Sequence, residues 1–456
     1  MQLYSKRSSL PFSATQVFAW HEKVGAFERL NPPWQPVEVL SHIGGIKDGA
    51  QVTLKVPLGP LGITWKLRHQ GYKSGNEFSD TQISGPFSFW EHRHLFSEDS
   101  PTSSTLEDSI RYKLPGAFLG KAVDSIYFKD QLDRLFRYRH TITRNDLSLI
   151  NSYQINPLVI AISGASGLVG ESLSAFLSTA GHSVKKLVRS KEMLKEDEIY
   201  WNPYNGEIEL KKLEGVDVVI NLSGESIASK RWSTEQKRKI LNSRIETTKL
   251  LVDSIGQLSN RPKLFLSASA IGFYGDRGDE ECSELSSAGE GFLSEVVQSW
   301  EQEAQRASTF GVRAVQARLG LVISAKGGAL AKMLPPFLLG VGGPLGNGSQ
   351  IMSWISLDDL IGAIYHIISK DNIHGAINLV TPRAVSNLEF TRTLGDVINR
   401  PTLISAPKFG LKFALGEMAE ALLLSSTRVI PKVLSDTNYN FLFGSLDAAL
   451  RHQLGR

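Results

Sequence analysis

The chain has 456 residues and a formal charge of only +4, with 41% hydrophobic and 21% charged residues, the make-up of a globular protein too long for one ordinary core. The small charge is not gathered into a basic stripe, which argues against nucleic acid as a partner. A single cysteine, Cys282, excludes an intrachain disulfide and a multi-cysteine zinc site, and its acidic neighbours Asp279, Glu280, Glu281 and Glu284 disfavour a thiolate. No apolar run is long enough for a signal peptide or a membrane span, so a cytoplasmic location is expected.

Residues 1 to about 150 alternate like antiparallel strands. Leu3 to Leu10 reads as a strand, and Ser13 to Phe27 as a helix capped by Ser13 or Thr15. Strands follow over Gln51 to Pro57, Ile63 to Tyr72, Glu77 to Ser84, Phe87 to Phe96 and Ser104 to Tyr112. A helix over roughly Lys121 to His140 carries the apolar stripe Val123, Ile126, Tyr127, Leu132, Leu135 and Phe136. Six of the ten histidines lie here, and His92 and His94 have the spacing of two side chains on one strand face. No third ligand is fixed by the sequence, so no metal is assigned. The polar phrase from Thr143 to Pro157 reads as an interdomain linker.

The phrases VFAWHEKVGAFERLNPPW, VPLGPLGITWKLRH, FSDTQISGPFSFWEHRH and YKLPG followed by FRYRH resemble the START-like (SRPBCC) domain. That resemblance implies a sheet wrapped on a long helix, able to hold an apolar ligand. Trp20, Trp34, Trp65 and Trp90 suit either a ligand site or ordinary packing.

The stretch VIAISGASGLVG, Val159 to Gly170, has a different character. An apolar strand runs into Gly164, Ala165, Ser166, Gly167, Leu168 and Val169, then a helix to about Ala180, and a second strand, Ser183 to Val188. Glycines let the backbone turn tightly against a pyrophosphate, and the helix start presents free N–H groups to it. At the end of the second strand stands Arg189, where an acid would select NAD, so a cation there points to the 2′-phosphate of NADP(H). Val216 to Leu222 is the next buried strand, and Leu222, Ser223 and Gly224 at its carboxyl end should border the cofactor. Glu225 either orients a hydroxyl or caps the following turn.

Thr234 to Ser254 reads as a long helix on which either Lys239 or Arg244 reaches a cofactor phosphate. Lys263 to Gly275 brings a strand ending in Ser267 and Ser269, followed by Tyr274, hydroxyls suited to a carbonyl substrate beside a nicotinamide. Arg318, at or after a strand end, meets either a phosphate or carboxylate or a structural salt-bridge partner. The loop GVGGPLGNG, Gly340 to Gly348, either closes over a ligand or simply connects. Asp358 and Asp359 favour the start of the next helix. Phe409 to Leu424, interrupted by Lys412, Glu417 and Glu420, reads as an amphipathic helix facing a protein core.

The motifs GASGLVG, LVRS, VVINLSGESI, RWSTEQKRKILNSRIETTKLLV, SASAIGFYG, FLSEVVQSWE, RLGLVISAKGGAL and SWISLDDL together resemble an atypical short-chain dehydrogenase/reductase. More narrowly they resemble the nucleoside-diphosphate-sugar epimerase-like group, some members of which are labelled SulA-type cell-division inhibitors. The tail from Arg400 to Leu434 is similar to the small C-terminal domain of that group. The organisation implied is a START-like domain over 1–145, a linker over 146–156, an α/β Rossmann domain with a doubly wound parallel sheet over 157–395, and a small domain over 396–456. One departure stands out: the tyrosine and lysine that such enzymes carry four residues apart are replaced by Phe292 and Val296, or Leu293 and Val297. Ser269 and Tyr274 then become the expected proton-handling pair, with Glu225 or Asp276 as other bases. The resemblance leaves two functions open, an oxidoreductase or epimerase acting on a small carbonyl, polyol or sugar-nucleotide, or a non-catalytic NADP-binding regulator.

Overall fold

In the computed structural model, the described residues are 1–35, 37–58, 61–114 and 121–456, with side chains left aside at 57–61 and 121–126. Gly59 and Pro60, Pro115 and Gly116, and the side chains of Val123 and Ile126, used above, lie outside that description. The chain divides into two compact units, Met1–Gln154 with Ala175–Gly181 and His452–Arg456, and Ile155–Ser174 with His182–Arg451.

The first unit begins with β1 (Gln2–Leu10), α1 (Ala14–Glu22) and α2 (Ala26–Arg29). Ser13 caps α1 in a reciprocal arrangement with Gln16, as the Ser-x-x-Gln spacing favours. The expected single helix from Ser13 to Phe27 is broken instead, because Gly25 takes a left-handed conformation at φ 94° between the two pieces. Then come β2 (Glu38–Ile43), which the sequence reading did not contain, β3 (Gln51–Leu58), β4 (Leu61–Lys73), β5 (Glu77–Ser84), β6 (Phe89–Ser100) and β7 (Ser103–Lys113). They form one antiparallel sheet in the order β1-β7-β6-β5-β4-β3-β2, which packs on the helix α3 (Lys121–Tyr153). Leu132 and Phe136 of α3 meet Tyr4, Val52, Leu67, Trp90 and Ile110 of the sheet, each such buried side chain contributing about 1.5–3 kcal/mol of burial.

The stretch expected to be a linker is helical as far as Tyr153. Arg144, Asn151 and Ser152 are exposed, while Leu147, with Ile142 just before the segment, joins the core with Phe12, Phe18 and Phe96. Asp146 also forms a buried two-pronged ion pair with Arg29, at 2.7 and 2.8 Å. The tryptophans of the first unit serve packing: Trp65 and Trp90 meet edge to face at 4.9 Å, and Trp34 meets Tyr138 in the same way at 5.1 Å.

The second unit contains β8 (Val159–Ser163), the start of α4 (Leu168–Thr179), β9 (Ser183–Val188), β10 (Glu198–Asn202), β11 (Glu207–Ile208), α5 (Leu210–Leu213), β12 (Val218–Asn221), α6 (Thr234–Gln257) and β13 (Leu264–Ala270). A two-residue strand β14 (Glu281–Cys282), α7 (Phe292–Gln305), β15 (Arg313–Leu319), β16 (Leu321–Ile323) and α8 (Gly328–Leu338) follow. Next are β17 (Ile351–Met352), β18 (Trp354–Ser356), α9 (Leu357–Ser369), β19 (Gly375–Leu379), β20 (Val385–Ser386) and α10 (Asn387–Ile398). The main sheet runs β11-β10-β9-β8-β12-β13-β15-β19, parallel except for the β11 edge. Strand order reverses between β8 and β12, which is where a doubly wound sheet opens a crevice beyond its carboxyl ends.

The expected domain boundary at 395/396 falls inside α10, which buries Leu394, Val397 and Ile398 as one apolar face. The expected helix over Phe409–Leu424 is also revised: Gly416, at φ 63°, ends α11 (Lys408–Leu415) and a further short helical stretch follows. Phe409 and Phe413 are 79% and 81% exposed, so α11 does not turn them into a core. Among the described residues, no helix is long and apolar enough to cross a membrane.

Candidate functional site

Backbone sterics dictate the turn after β8. Gly164 sits at φ 71°, and a Cβ there would lie 2.8 Å from the carbonyl carbon and oxygen of Leu222, at the end of β12. A Cβ on Gly170 would fall 2.2 Å from the carbonyl oxygen of Gly164, so only glycine lets α4 start this close to the strand. The Gly167 N–H donates to Gly164 O at 3.0 Å and closes the turn. The first N–H groups of α4 have no acceptor within the helix and face the crevice end of the sheet, as a pyrophosphate requires. These residues fit a dinucleotide on observed geometry.

Arg189 directly follows β9 and is exposed. Leu222 and Ser223 are half-buried and Gly224 is exposed. A buried chain of hydrogen bonds holds this edge: Ser163 Oγ donates to Asn221 Oδ1 at 2.6 Å, Asn221 Nδ2 to Thr248 Oγ1 at 2.9 Å, and Trp300 Nε1 to the same hydroxyl at 2.9 Å. The chain ties the ends of β8 and β12 to α6 and α7. The sequence reading missed Asn221, Thr248 and Trp300; the asparagine at the end of an otherwise apolar strand was the available signal.

The two α6 cations separate. Lys239 is exposed and paired with Glu235 on its own helix at 2.6 Å. Arg244 turns inward, donates to the carbonyls of Ile240 and Glu225 at 2.9 and 3.1 Å, and stacks over the Trp300 ring. Burial lowers its pKa to about 10, with Glu225 opposing, so it stays a cation at neutral pH. Glu225 itself is fastened at the turn, its N–H donating to Ser243 Oγ at 3.0 Å.

Beside Arg244 opens a cavity of about 1070 Å³. One wall is the start of α7, where Phe292, Leu293, Val296 and Val297 face the cavity together with Trp300. The positions that carry tyrosine and lysine in the resembled enzymes therefore do look into the site, and here they are apolar. Ala270 at the end of β13, Ile271 and Gly272 after it, Met333 and Phe337 of α8, and Ile404 and Ala406 complete much of the lining, with Asp276, Glu290 and Lys332 among its charged groups. The 340–348 loop is packed rather than free: a Cβ on Gly343 would overlap the Ile404 carbonyl at 1.8 Å, and Leu345 pairs with Ala406.

The structure places Ser269 and Tyr274 behind this wall. Ser269 Oγ donates to Glu301 Oε1 at 2.5 Å, and Arg318 grips both Glu301 oxygens at 2.7 Å each. A third Arg318 N–H reaches the Tyr274 hydroxyl at 2.9 Å, which lies 2.7 Å from Asn378 Oδ1 and 3.0 Å from Ser283 O. Tyr274 is 0% exposed, and burial raises its pKa more than the Arg318 charge lowers it. Neither hydroxyl is among the cavity-lining groups. Arg318 thus takes the structural alternative, its guanidinium also 3.5 Å over the Phe273 ring. Ser267 is likewise fully buried, donating to the Ala268 carbonyl at 3.1 Å. Cys282 is buried, and burial pushes its thiol pKa up, in keeping with an inert residue.

Glycine turn, doubly wound sheet and adjoining cavity define a dinucleotide-binding protein of the Rossmann class. Residues 160–379 match the NAD dependent epimerase/dehydratase family, 10–135 the polyketide cyclase/dehydrase and lipid transport family, and 406–453 a domain of unknown function, DUF1731. An epimerase family protein of Mycobacterium bovis is 39% identical over 298 residues, 65% of this chain and 98% of its own length. The chain belongs to that epimerase family. A crystal structure described as the nucleoside-diphosphate sugar epimerase from Corynebacterium glutamicum superposes with a TM-score of 0.80 at 32% identity, covering 99% of this chain and 90% of the other. The crystal structure of human epimerase family protein SDR39U1 (isoform 2) with NADPH gives 0.59 at 30% identity, over 65% of this chain and 99% of that one. The first unit accordingly carries a START-like domain and the second an NAD(P)-binding epimerase-like domain.

Proposed function

We propose that the second unit is an NADP(H)-dependent oxidoreductase of epimerase-like type, acting on a small carbonyl, polyol or sugar-nucleotide compound. The observation that carries the reading is the large, mostly apolar cavity bounded by Arg244 and the end of β13, in the same unit as a glycine turn shaped for a dinucleotide. Exposed Arg189 supports NADP(H) over NAD, and NADPH in the human relative points the same way. The glycine turn and α4 hold the pyrophosphate, Arg189 holds the 2′-phosphate, and the nicotinamide supplies hydride chemistry when bound. The apolar α7 face excludes water from the reacting carbon. Proton transfer falls to the cavity-lining Asp276 or Glu290, while Ser269, Tyr274 and Arg318 position the wall. The test is NADPH oxidation at 340 nm with a panel of carbonyl compounds, comparing the native chain with Ala329→Trp, which places an indole at the cavity lining. Turnover that the variant loses with unchanged NADPH affinity supports the reading.

A second reading, a non-catalytic NADP-binding regulator, draws on the absence of a proton-transferring residue on the cavity face of α7. It is favoured if NADPH binds tightly and no compound in the panel oxidises it. The comparisons lend no support to a SulA-type cell-division role, and it is not proposed.

A further inference from the structure

The interior of the first unit holds an array of side chains that neither reading uses. Asp80 pairs across the ladder with His69 on β4 and His92 on β6, and His94 pairs with Asp108 on β7. Period-two alternation turns all five to the helix side of the sheet, where each is at least nine-tenths buried. Buried carboxylates and imidazoles at this density demand an account of where their protons or countercharges are.

Asp108 fixes the orientation of the imidazoles. Its Oδ1 lies 2.8 Å from His92 Nε2 and 2.7 Å from His94 Nδ1, while Oδ2 lies 2.6 Å from His140 Nε2. A carboxylate only accepts, so each of these nitrogens carries a hydrogen. In the neutral tautomers His92 Nδ1 and His94 Nε2 are then lone-pair nitrogens, and both converge on Asp80 Oδ2, at 3.2 and 3.8 Å. The other Asp80 oxygen accepts from Trp90 Nε1 at 3.1 Å, so the carboxylate is aimed as well. Two lone pairs and an anionic oxygen facing one another repel unless a cation, or a second proton on an imidazole, lies between them. The longer separation exceeds a hydrogen bond, whereas donors on a tetrahedral ion with bonds of about 2.0–2.2 Å stand roughly 3.4 Å apart.

We propose that Asp80, His92 and His94 bind a first-row divalent transition ion of the zinc class, with Asp108 and Trp90 holding the donors in place. One carboxylate and two imidazole nitrogens, all within 4.8 Å of one another, are the donor set such ions take. Asp108 accepting the far N–H of both imidazoles is the outer-sphere arrangement that orients histidine ligands. A dication also balances Asp80 and Asp108 while the imidazoles stay neutral. His69, facing Asp80 in the ladder and buried with an unpartnered Nδ1, offers a further nitrogen on the same row. The site is independent of the dinucleotide reading, since every residue belongs to the first unit.

The experiment uses the full chain, stripped with a chelator and titrated with zinc and cobalt(II) chlorides. One equivalent of zinc is expected to bind saturably and raise the melting temperature, and cobalt(II) is expected to develop visible ligand-field bands that zinc displaces. Asp80→Asn should lose the equivalent, and Asp108→Asn, which leaves the three donors, should weaken it about 10–100-fold. NADPH affinity should not change in either variant. Absence of a saturable equivalent in the native chain overturns the proposal and leaves the cluster as a self-neutralised imidazolium–carboxylate core. Stoichiometric zinc retained by Asp80→Asn overturns the assignment of the site. Should Asp80→Asn fail to fold, the native cobalt spectrum and the Asp108→Asn titration decide.

Discussion

The glycine turn after β8 and the wall of the cavity are joined in the proposed function, yet they are built in opposite ways. In the turn, twelve consecutive residues from Val159 to Gly170 decide the geometry, and the decisive contacts are backbone against absent side chains. The wall is assembled from segments between Ile227 and Thr427, and the polar groups Ser269, Glu301, Arg318 and Tyr274 are tied into a network outside its lining. The difference teaches that a binding function can be local while the chemistry beside it depends on long-range packing. Substitutions should therefore separate the two.

The largest effect is expected at the turn. Gly170→Val drives its side chain into the Gly164 carbonyl and should abolish NADPH binding, a loss of at least ~100-fold by fluorescence titration. Binding within tenfold of the native chain would refute the role of this glycine. Behind the wall, Glu301→Ala leaves Arg318 buried without its carboxylate and should cost about 3–5 kcal/mol in denaturant unfolding, while NADPH binding by folded protein persists.

Away from the cavity lining, α9 should respond to pH. His366 on α9 is held to Thr437 at 2.8 Å, and burial, with Lys370 nearby, lowers its pKa to about 4. Its folded value lies below the unfolded one near 6.5, so its stabilising share is present above that value and lost as pH falls towards 4. The native chain should lose ~2 kcal/mol from this group between pH 7 and pH 5, and His366→Gln should flatten that slope. The smallest effect is expected for Tyr274→Phe, which should cost about 1–2 kcal/mol of stability and leave turnover of any accepted carbonyl compound within about twofold. A turnover loss of ~100-fold at unchanged NADPH affinity would return Tyr274 to the chemistry.

What was legible in the sequence follows the same division. Strand, glycine turn and helix could be read because their signals are adjacent, and Arg189 because it ends the next strand. Phe292 and Val296, or Leu293 and Val297, could be recognised as substitutions for an expected pair, but that they line a cavity depends on α8 and on residues beyond 400. Ser269 and Tyr274 looked like site residues because hydroxyls cluster after a strand. Their burial follows from Glu301 and Arg318, which lie 32 and 44 residues further on, respectively. The 146–153 segment was misread because its polar residues dominate the composition, whereas Leu147 and the Asp146–Arg29 pair decide its structure. His92 and His94 could be placed on one strand face, but Asp80 and Asp108 joined them only through the ladder.

The central claim is that the second unit holds NADP(H) through a sequence-local site. The most direct measurement is fluorescence titration of the full chain with NADPH and NADH, repeated on Arg189→Asp. The expected result is NADPH bound more tightly than NADH by the native chain, with the variant losing roughly 10–100-fold for NADPH and reversing the order. Equal affinity for both cofactors, or an Arg189→Asp variant that keeps its preference for NADPH, would contradict it.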